Sequence, residues 1–320
     1  MMKPYEQRFP WQLDWNLLRT FMVVVDQGGI TRAAEFLGVT QPTISSALKR
    51  LEDSVGQLLV VRRPNFFEVT QAGQTLYREC SAIYGSVSQI PSLVSETEGR
   101  VTGHISIVMT SHVVSPHFDK LLSAFNDSHQ DVTFSISVAE SSEVMNRLRQ
   151  NRASFGLCLM REPDPVLRAE PLFREFFGLY CGPNHPLFGR NQIDLKELRG
   201  ESSISFQTES ESGPLHSVSQ LRERALLKIA PKGISANLPE IRRMIMAGLG
   251  LGALPVHIAK RDVELGNLWP LPPYEDLPAV DVFFVLNPSR SLNPAESLFI
   301  QQIEGMIADV PFGERTYRNG

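Results

Sequence analysis

At 320 residues, with 42% hydrophobic and 21% charged side chains, the chain is long enough for two or three domains that each bury a core. A net charge of -4 excludes a protein that coats nucleic acid indiscriminately and leaves room for no more than a local basic patch. The three cysteines are far apart without a CxxC pair, no run reaches the roughly 20 apolar residues of a membrane helix, and the first residues carry no apolar signal stretch, so buried thiols, no metal or cofactor, and a cytoplasmic location are expected.

Asp14 is placed to cap a first helix in which Leu17, Leu18, Phe21, Val24 and Val25 recur at helical spacing, and Gly28-Gly29 ends it. Thr31 is expected to cap a second helix, whose small Ala33 and Ala34 admit a close helix crossing and which stops at Gly38. A third helix starts from a Thr40 cap, with Pro42 in its first turn, where amide hydrogens have no helical partner anyway. Ile44, Leu48, Leu51 and Val55 form one apolar stripe along it. The other face presents Gln41, Thr43, Ser45, Ser46, Lys49 and Arg50. These are groups that reach base edges and phosphates in a major groove, whereas a merely solvated helix is more simply built from Glu and Lys. Two short strands at 58–61 and 67–70, around Arg62-Arg63-Pro64-Asn65, complete a winged helix-turn-helix over residues 13–70. Arg32, Arg62 and Arg63 suit phosphate contacts, which position a protein on DNA without reading sequence.

From a cap at Thr70, the residues Leu76, Cys80, Ile83, Val87, Ile90 and Val94 follow a three-four repeat, a narrow seam that wants a partner helix within a linker at 71–98. Pro91 is expected to kink or end that helix near Ile90. From 99 to 320 the pattern changes to strands alternating with helices, with strands at 104–109, 132–138, 155–160, 176–181, 203–206, 229–236, 252–254 and 280–286. Helices are expected at 115–126, 141–151, 213–228, 239–247 and 293–308. This order implies parallel sheets, and too many strands for one small sheet, so two α/β lobes with a cleft between them are expected: one at about 99–175 and 270–310, the other at about 176–269.

The stretch "NLLRTFMVVVDQGGITRAAEFLGVTQPTISSALKRLEDSVGQLLVVRRPNFFEVTQAG" closely resembles the N-terminal domain of LysR-type transcriptional regulators, without a gap over 17–73. The resemblance is carried by Ala33-Ala34, Leu37, Val39-Thr40-Gln41-Pro42, Ser45, Leu51-Glu52, Gly56, Arg62 and Thr70-Gln71-Ala72-Gly73. Later segments, "GPNHPL" from Gly182 and "MIMAGLGLGALP" from Met244, resemble the family's effector domain. What this implies is a DNA-binding regulator of dyad operators, paired through the linker helix. Its C-terminal domain would have the two-lobed fold of periplasmic binding proteins and would sense a small molecule. A symmetric dimer would hold two reading helices about 34–36 Å apart, and separate pairing of the effector domains would give a tetramer. The chain departs from the family at Leu58-Leu59-Val60, where Pro-Leu-Phe is usual, at Asn65-Phe66, where the wing tip is usually basic, and at Ser154, where an acidic residue is common.

Thr110, Ser111 and His112 follow the first strand of the α/β region, beyond the carboxyl ends of strands, where ligands of such sheets lie and helix amides attract organic anions. Ser141 falls where the resemblance implies a ligand-binding hydroxyl, and Gln207 and Asn237 end strands across the cleft. Ordinary helix capping by Ser and Thr is the competing reading of any one of them. Ser111 with His112 or His117 lacks the GxSxG setting of a hydrolase, and His112 and His117 have a poor metal spacing, so no catalysis is expected. The alternative is a solute-binding or catalytic α/β protein carrying an interaction module, against which the match over 30–73 weighs.

Overall fold

The computed structural model describes residues 13–63, 66–94, 101–210 and 212–318. They divide into two compact units, an N-terminal one reaching Ile90 and a C-terminal α/β one.

In the N-terminal unit the first helix, Trp15–Asp26, begins at Asp14, whose carboxylate accepts the Asn16 amide hydrogen at 3.0 Å. The second, Ile30–Leu37, has Gly29 rather than Thr31 at its cap. Gly28, at φ +63°, turns the chain early enough for the helix to start before Thr31, whose hydroxyl instead accepts a hydrogen bond from Gln41 of the next helix. That third helix, Gln41–Val55, follows Thr40, but the Thr40 hydroxyl pairs with Thr43 Oγ1 at 2.9 Å and caps no backbone amide. Its stripe of Ile44, Leu48 and Leu51 is buried against Phe21, Val24, Ala33 and Ala34 of the first two helices. The wing is the antiparallel pair β1 (Val60–Arg63) and β2 (Phe66–Val69), so Arg62 and Arg63 lie in a strand rather than in the turn. The ladder starts late because Glu52 Oε1 takes the amide hydrogens of Leu59 and Val60, at 2.9 and 3.3 Å, and ties that backbone to the third helix. Pro64, Asn65 and the junction near 98–99 lie outside the described residues.

The linker helix, Gln71–Val94, begins with the Thr70 hydroxyl accepting the Gly73 amide hydrogen at 3.0 Å. It runs past Pro91, so the proline does not end it; what the proline takes from the helix is the one hydrogen bond that an amide at 91 would give to the Val87 carbonyl. The seam also divides. Leu76 and Cys80 pack into the winged-helix core of their own chain, while Ile83, Val87 and Ile90 are exposed; the side chain of Val94 lies outside the described residues.

The C-terminal unit is one curled sheet in the order β4-β3-β5-β11-β6-β9-β7-β8. Its strands are β3 (Gly103–Met109), β4 (Val132–Val138), β5 (Phe155–Leu159), β6 (Arg168–Cys181), β7 (Ser203–Phe206), β8 (Gly233–Ser235), β9 (Leu251–Pro255), β10 (Trp269–Leu271), β11 (Ala279–Leu286) and β12 (Thr316–Tyr317), with β10 and β12 also paired to β6. Two lobes share β6: from Arg168 to Phe176 it pairs with β11, and from Phe177 onward with β9 and β10. Parallel pairing holds within each lobe, between β3 and both β4 and β5, and between β7 and both β8 and β9. At the junction it fails, since β11 is antiparallel to β5 and β6, and β6 to β9.

Several expected bounds shift for local reasons. β6 starts at Arg168 instead of 176 because Glu170, Arg174 and Glu175 hide a strand whose Leu172 and Phe173 are buried. Arg174 earns its place through a two-pronged contact with Asp281 on β11, at 2.6 and 2.9 Å. The strand expected at 229–236 shrinks to Gly233–Ser235, since Pro231 has no amide hydrogen to donate and Ile229 is 98% exposed. The helix expected at 213–228 is confined to His216–Arg224, and the helix Val256–Glu264 was not anticipated in the sequence pattern. Ser154 belongs to the core, where it donates to Glu296 Oε1 at 2.5 Å, while Arg290 meets the same carboxylate at 2.8 Å. Glu296 also closes a capping box with Asn293 at the start of helix Pro294–Asp309.

Candidate nucleic-acid interface and effector cleft

Burial of one side of Gln41–Val55 turns the other side to solvent. Gln41, Pro42, Thr43, Ser46, Lys49 and Arg50 are exposed there and Ser45 is half-buried. Several members are held in place. Gln41 donates to Thr31, Arg50 reaches Asp14 Oδ2 at 3.3 Å, and Arg32 donates to the Gly28 carbonyl at 2.8 Å. In the wing, Arg62 reaches Glu52 Oε2 at 3.5 Å, and Arg63 is exposed beside it. Ser46 and Lys49 stand on the same exposed face. The arrangement presents amide, hydroxyl and cationic groups on a rigid helix, flanked by arginines on both sides, which is what base readout with phosphate anchoring requires.

In the α/β unit Thr110, Ser111 and His112 do follow β3, and Ser141 opens the helix Ser141–Arg149 after β4. Because β3 and β4 run in register to Met109 and Val138, with the Ala139 amide bonded to the Met109 carbonyl at 2.9 Å, these two turns are neighbours at the carboxyl edge of the first lobe. Thr110, His112 and Ser141 are buried, and the Ser141 hydroxyl oxygen accepts the Leu159 amide hydrogen at 3.2 Å. Gln207 and Asn237 follow β7 and β8 of the second lobe, and both are exposed.

Asn237 precedes the helix Leu238–Met246 without capping it. The cap comes from the other lobe: Ser111 Oγ accepts the Leu238 amide hydrogen at 2.9 Å and donates to the Ala236 carbonyl at 3.2 Å. His257 adds a second tie, its Nε2 donating to the Val114 carbonyl at 3.2 Å. Behind this loop, on β6, lies Glu175, which the sequence reading missed because its strand was not expected; a lone Glu ahead of two phenylalanines was the available signal. Glu175 is 0% exposed and its Oε1 is 3.7 Å from His112 Nε2. Burial pushes the Glu175 carboxyl well above its usual range and, helped by His257, draws His112 down to about 4.

The three thiols, Cys80, Cys158 and Cys181, are buried and free, and burial pushes them up to about 11, 12 and 12. Such thiols are poor nucleophiles and poor redox sensors at neutral pH. No group of three or more metal-ligating side chains occurs among the described residues, and no described helix is long and apolar enough to cross a membrane.

A winged helix-turn-helix followed by a two-lobed α/β domain defines a class, the DNA-binding regulator with a ligand-sensing domain. The family model described as LysR substrate binding domain matches residues 98–307, and that described as bacterial regulatory helix-turn-helix protein, lysR family, matches residues 15–74. The chain therefore belongs to the LysR family of ligand-responsive, DNA-binding transcriptional regulators. Among similar proteins is the HTH-type transcriptional regulator CfxR of Cupriavidus necator, 29% identical over 258 residues, 78% of each chain. The structure of CbnR, a LysR family transcriptional regulator, has a TM-score of 0.67 at 18% identity, covering 93% of this chain and 100% of that one. Full-length CbnR in complex with its target DNA has a TM-score of 0.64 at 18% identity, covering 92% and 100%.

Proposed function

We propose that Gln41, Pro42, Thr43, Ser45, Ser46, Lys49 and Arg50 read an operator through the major groove while Arg32, Arg62 and Arg63 hold phosphates. The observation that carries this reading is the division of one helix into a buried stripe of Ile44, Leu48 and Leu51 and an exposed polar face. That CbnR has been solved with its target DNA supports it. Two copies are needed for a dyad site. A groove of about 180 Å³ between the first helix and the linker helix, lined by Trp15, Leu18, Met22, Ile83, Tyr84 and Val87, offers an apolar seat for a partner helix, and pairing of effector domains would extend the dimer to a tetramer.

The interlobe cleft takes the effector, without catalysis and in the cytoplasm. Thr110, Ser111, His112 and Ser141, at the carboxyl edge of one lobe, and Gln207 and Asn237, after β7 and β8 of the other, would line it around an organic anion. Side chains rather than the start of Leu238–Met246 would meet that anion, because the Leu238 amide is held by Ser111, Pro239 has none and the Glu240 amide bonds to the Asn237 carbonyl. A gel-shift assay with DNA flanking the protein's own gene, run with and without metabolites that raise its melting temperature, tests both parts. The expected result is a specific complex whose affinity or mobility changes with the stabilising metabolite. Equal binding to random DNA overturns the reading face. A stabilising metabolite that binds Thr110→Val and Ser141→Ala as tightly as wild type moves the effector site elsewhere.

A further inference from the structure

Glu175 is the most anomalous group in the α/β unit. Neither carboxyl oxygen has a hydrogen-bond partner among the described residues, and the side chain is completely buried. An ionised carboxylate in such a place is too costly to keep, so the group holds its proton. The ionisable neighbours on every side leave that conclusion standing. From the loop after β3 comes His112, whose Nε2 is 3.7 Å from Glu175 Oε1 and 3.5 Å from Thr110 Oγ1. His257, on Val256–Glu264, is itself largely buried and uses Nε2 as a donor to Val114, which leaves its buried Nδ1 unpaired and the ring neutral. From β12, in register with Glu175, comes Tyr317, whose hydroxyl is engaged by Ser115 at 2.9 Å and His117 at 3.2 Å. Arg174 precedes Glu175 on the strand and therefore points to the opposite face, where Asp281 of β11 neutralises it, and Arg318 stacks on Phe176 at 5.6 Å. No cation is left over to pair with Glu175 among these neighbours.

The position of the group gives its proton a consequence. Glu175 lies on β6 at the point where the strand passes from one lobe to the other, opposite Val280 of β11 and two residues before Phe177, where pairing with β9 begins. His112 lies against it at 3.7 Å, and from the second lobe Phe206 packs edge-on to the His112 ring, centroids 6.2 Å apart. The same loop carries Ser111 and Val114, which make the hydrogen bonds that tie the lobes together. Separation of the lobes therefore breaks those bonds, takes Phe206 off the His112 ring and admits water to Glu175.

We propose that this joint is a proton-linked latch: the closed cleft keeps Glu175 protonated, and opening releases that proton to bulk water, so the closed fraction falls as pH rises. The latch is a property of the lobes themselves and stands whether or not the cleft residues named above bind the effector.

Amide hydrogen exchange on the full-length protein, corrected for the intrinsic effect of pH, tests it without a ligand. Protection of the Leu238 amide, which Ser111 holds, and of the segment 110–115 is followed between about pH 6.5 and 8.5. Wild type should lose protection by up to about tenfold per pH unit, the slope of one linked proton. Glu175→Gln, a neutral replacement, should keep its low-pH protection across the range, and Glu175→Met serves the same purpose if Gln does not fold. Ser111→Ala should lower protection at every pH and retain the slope. A flat wild-type profile, or the wild-type slope persisting in a neutral replacement of Glu175, overturns the proposal.

Discussion

Asp14 caps the first helix with Oδ1 and holds the Arg50 guanidinium of the third with Oδ2, at 3.3 Å. One carboxylate thus does a structural task and parks a cation at the edge of the reading face. The pair is exposed, 63% for Arg50 and 38% for Asp14, so it is worth at most about 1 kcal/mol and a phosphate can displace it. Asp14→Ala should lose about 1 kcal/mol with the cap, whereas Asp14→Asn keeps the cap and should stay near wild-type stability. Asp14→Asn should also bind DNA more tightly at low salt, with a steeper salt dependence, because it frees Arg50 and removes a negative charge. Urea unfolding and anisotropy titrations at several salt concentrations check this, and weaker binding by Asp14→Asn would remove Arg50 from the contact set.

Reading and positioning contacts should separate on mutation. Gln41→Ala and Ser46→Ala should cost about 1–3 kcal/mol on the operator and little on random DNA, since both side chains are exposed and their loss leaves the core intact. Arg62→Ala should weaken both DNAs alike and reduce the salt slope by about one. Parallel titrations on the two DNAs check the split.

The division of the linker seam gives two different expectations from neighbouring turns of one helix. Leu76→Ala removes packing from the winged-helix core and should lower its stability by about 1–2 kcal/mol without changing assembly. Ile83→Lys with Val87→Lys alters exposed positions, so each chain should fold, yet like charges would face each other across a two-fold seam and dimers should be lost. Analytical ultracentrifugation with operator titration decides. A double mutant that sediments and binds a full dyad like wild type would place the dimer interface elsewhere.

The N-terminal unit was legible because its signals are local. Asp14, Gly38, Pro42 and the spacing of Ile44, Leu48 and Leu51 each act within a turn or two of helix. Thr31 misled because a left-handed Gly28, which needs no side chain to announce itself, won the start of the second helix. In the α/β unit the alternation of strands and helices was visible, while the connection between lobes was not. The first half of β6 is polar by composition, and its Arg174 and Glu175 make sense only beside Asp281 and His112, which are distant in sequence. Ser111 was legible as a cleft residue from its place after β3, but its part as a cap for the opposite lobe depends on tertiary structure alone.

Glu175 and His112 should give the stability of the α/β unit a two-part pH dependence. His112 is drawn from the usual 6.5 down to about 4, so between those values the unfolded chain binds more protons than the folded one and stability rises with pH. Glu175 is an acid raised above its usual 4.5, so from there upward the folded chain keeps a proton that the unfolded one has released, and stability falls as pH rises until the folded value is reached. The two effects oppose each other up to about pH 6.5, beyond which the His112 contribution is complete and the Glu175 penalty continues, at up to about 1.4 kcal/mol per pH unit. Glu209, also raised by burial, acts in the same direction as Glu175, so the contribution of Glu175 is read as the difference between wild type and Glu175→Gln. Melting temperatures measured at intervals from about pH 5 to 8.5 should show the variant gaining on wild type steadily above pH 6.5. If the difference is constant with pH, Glu175 is ionised in the folded protein, and the donor it would then need must come from a rearrangement of the loop that carries His112.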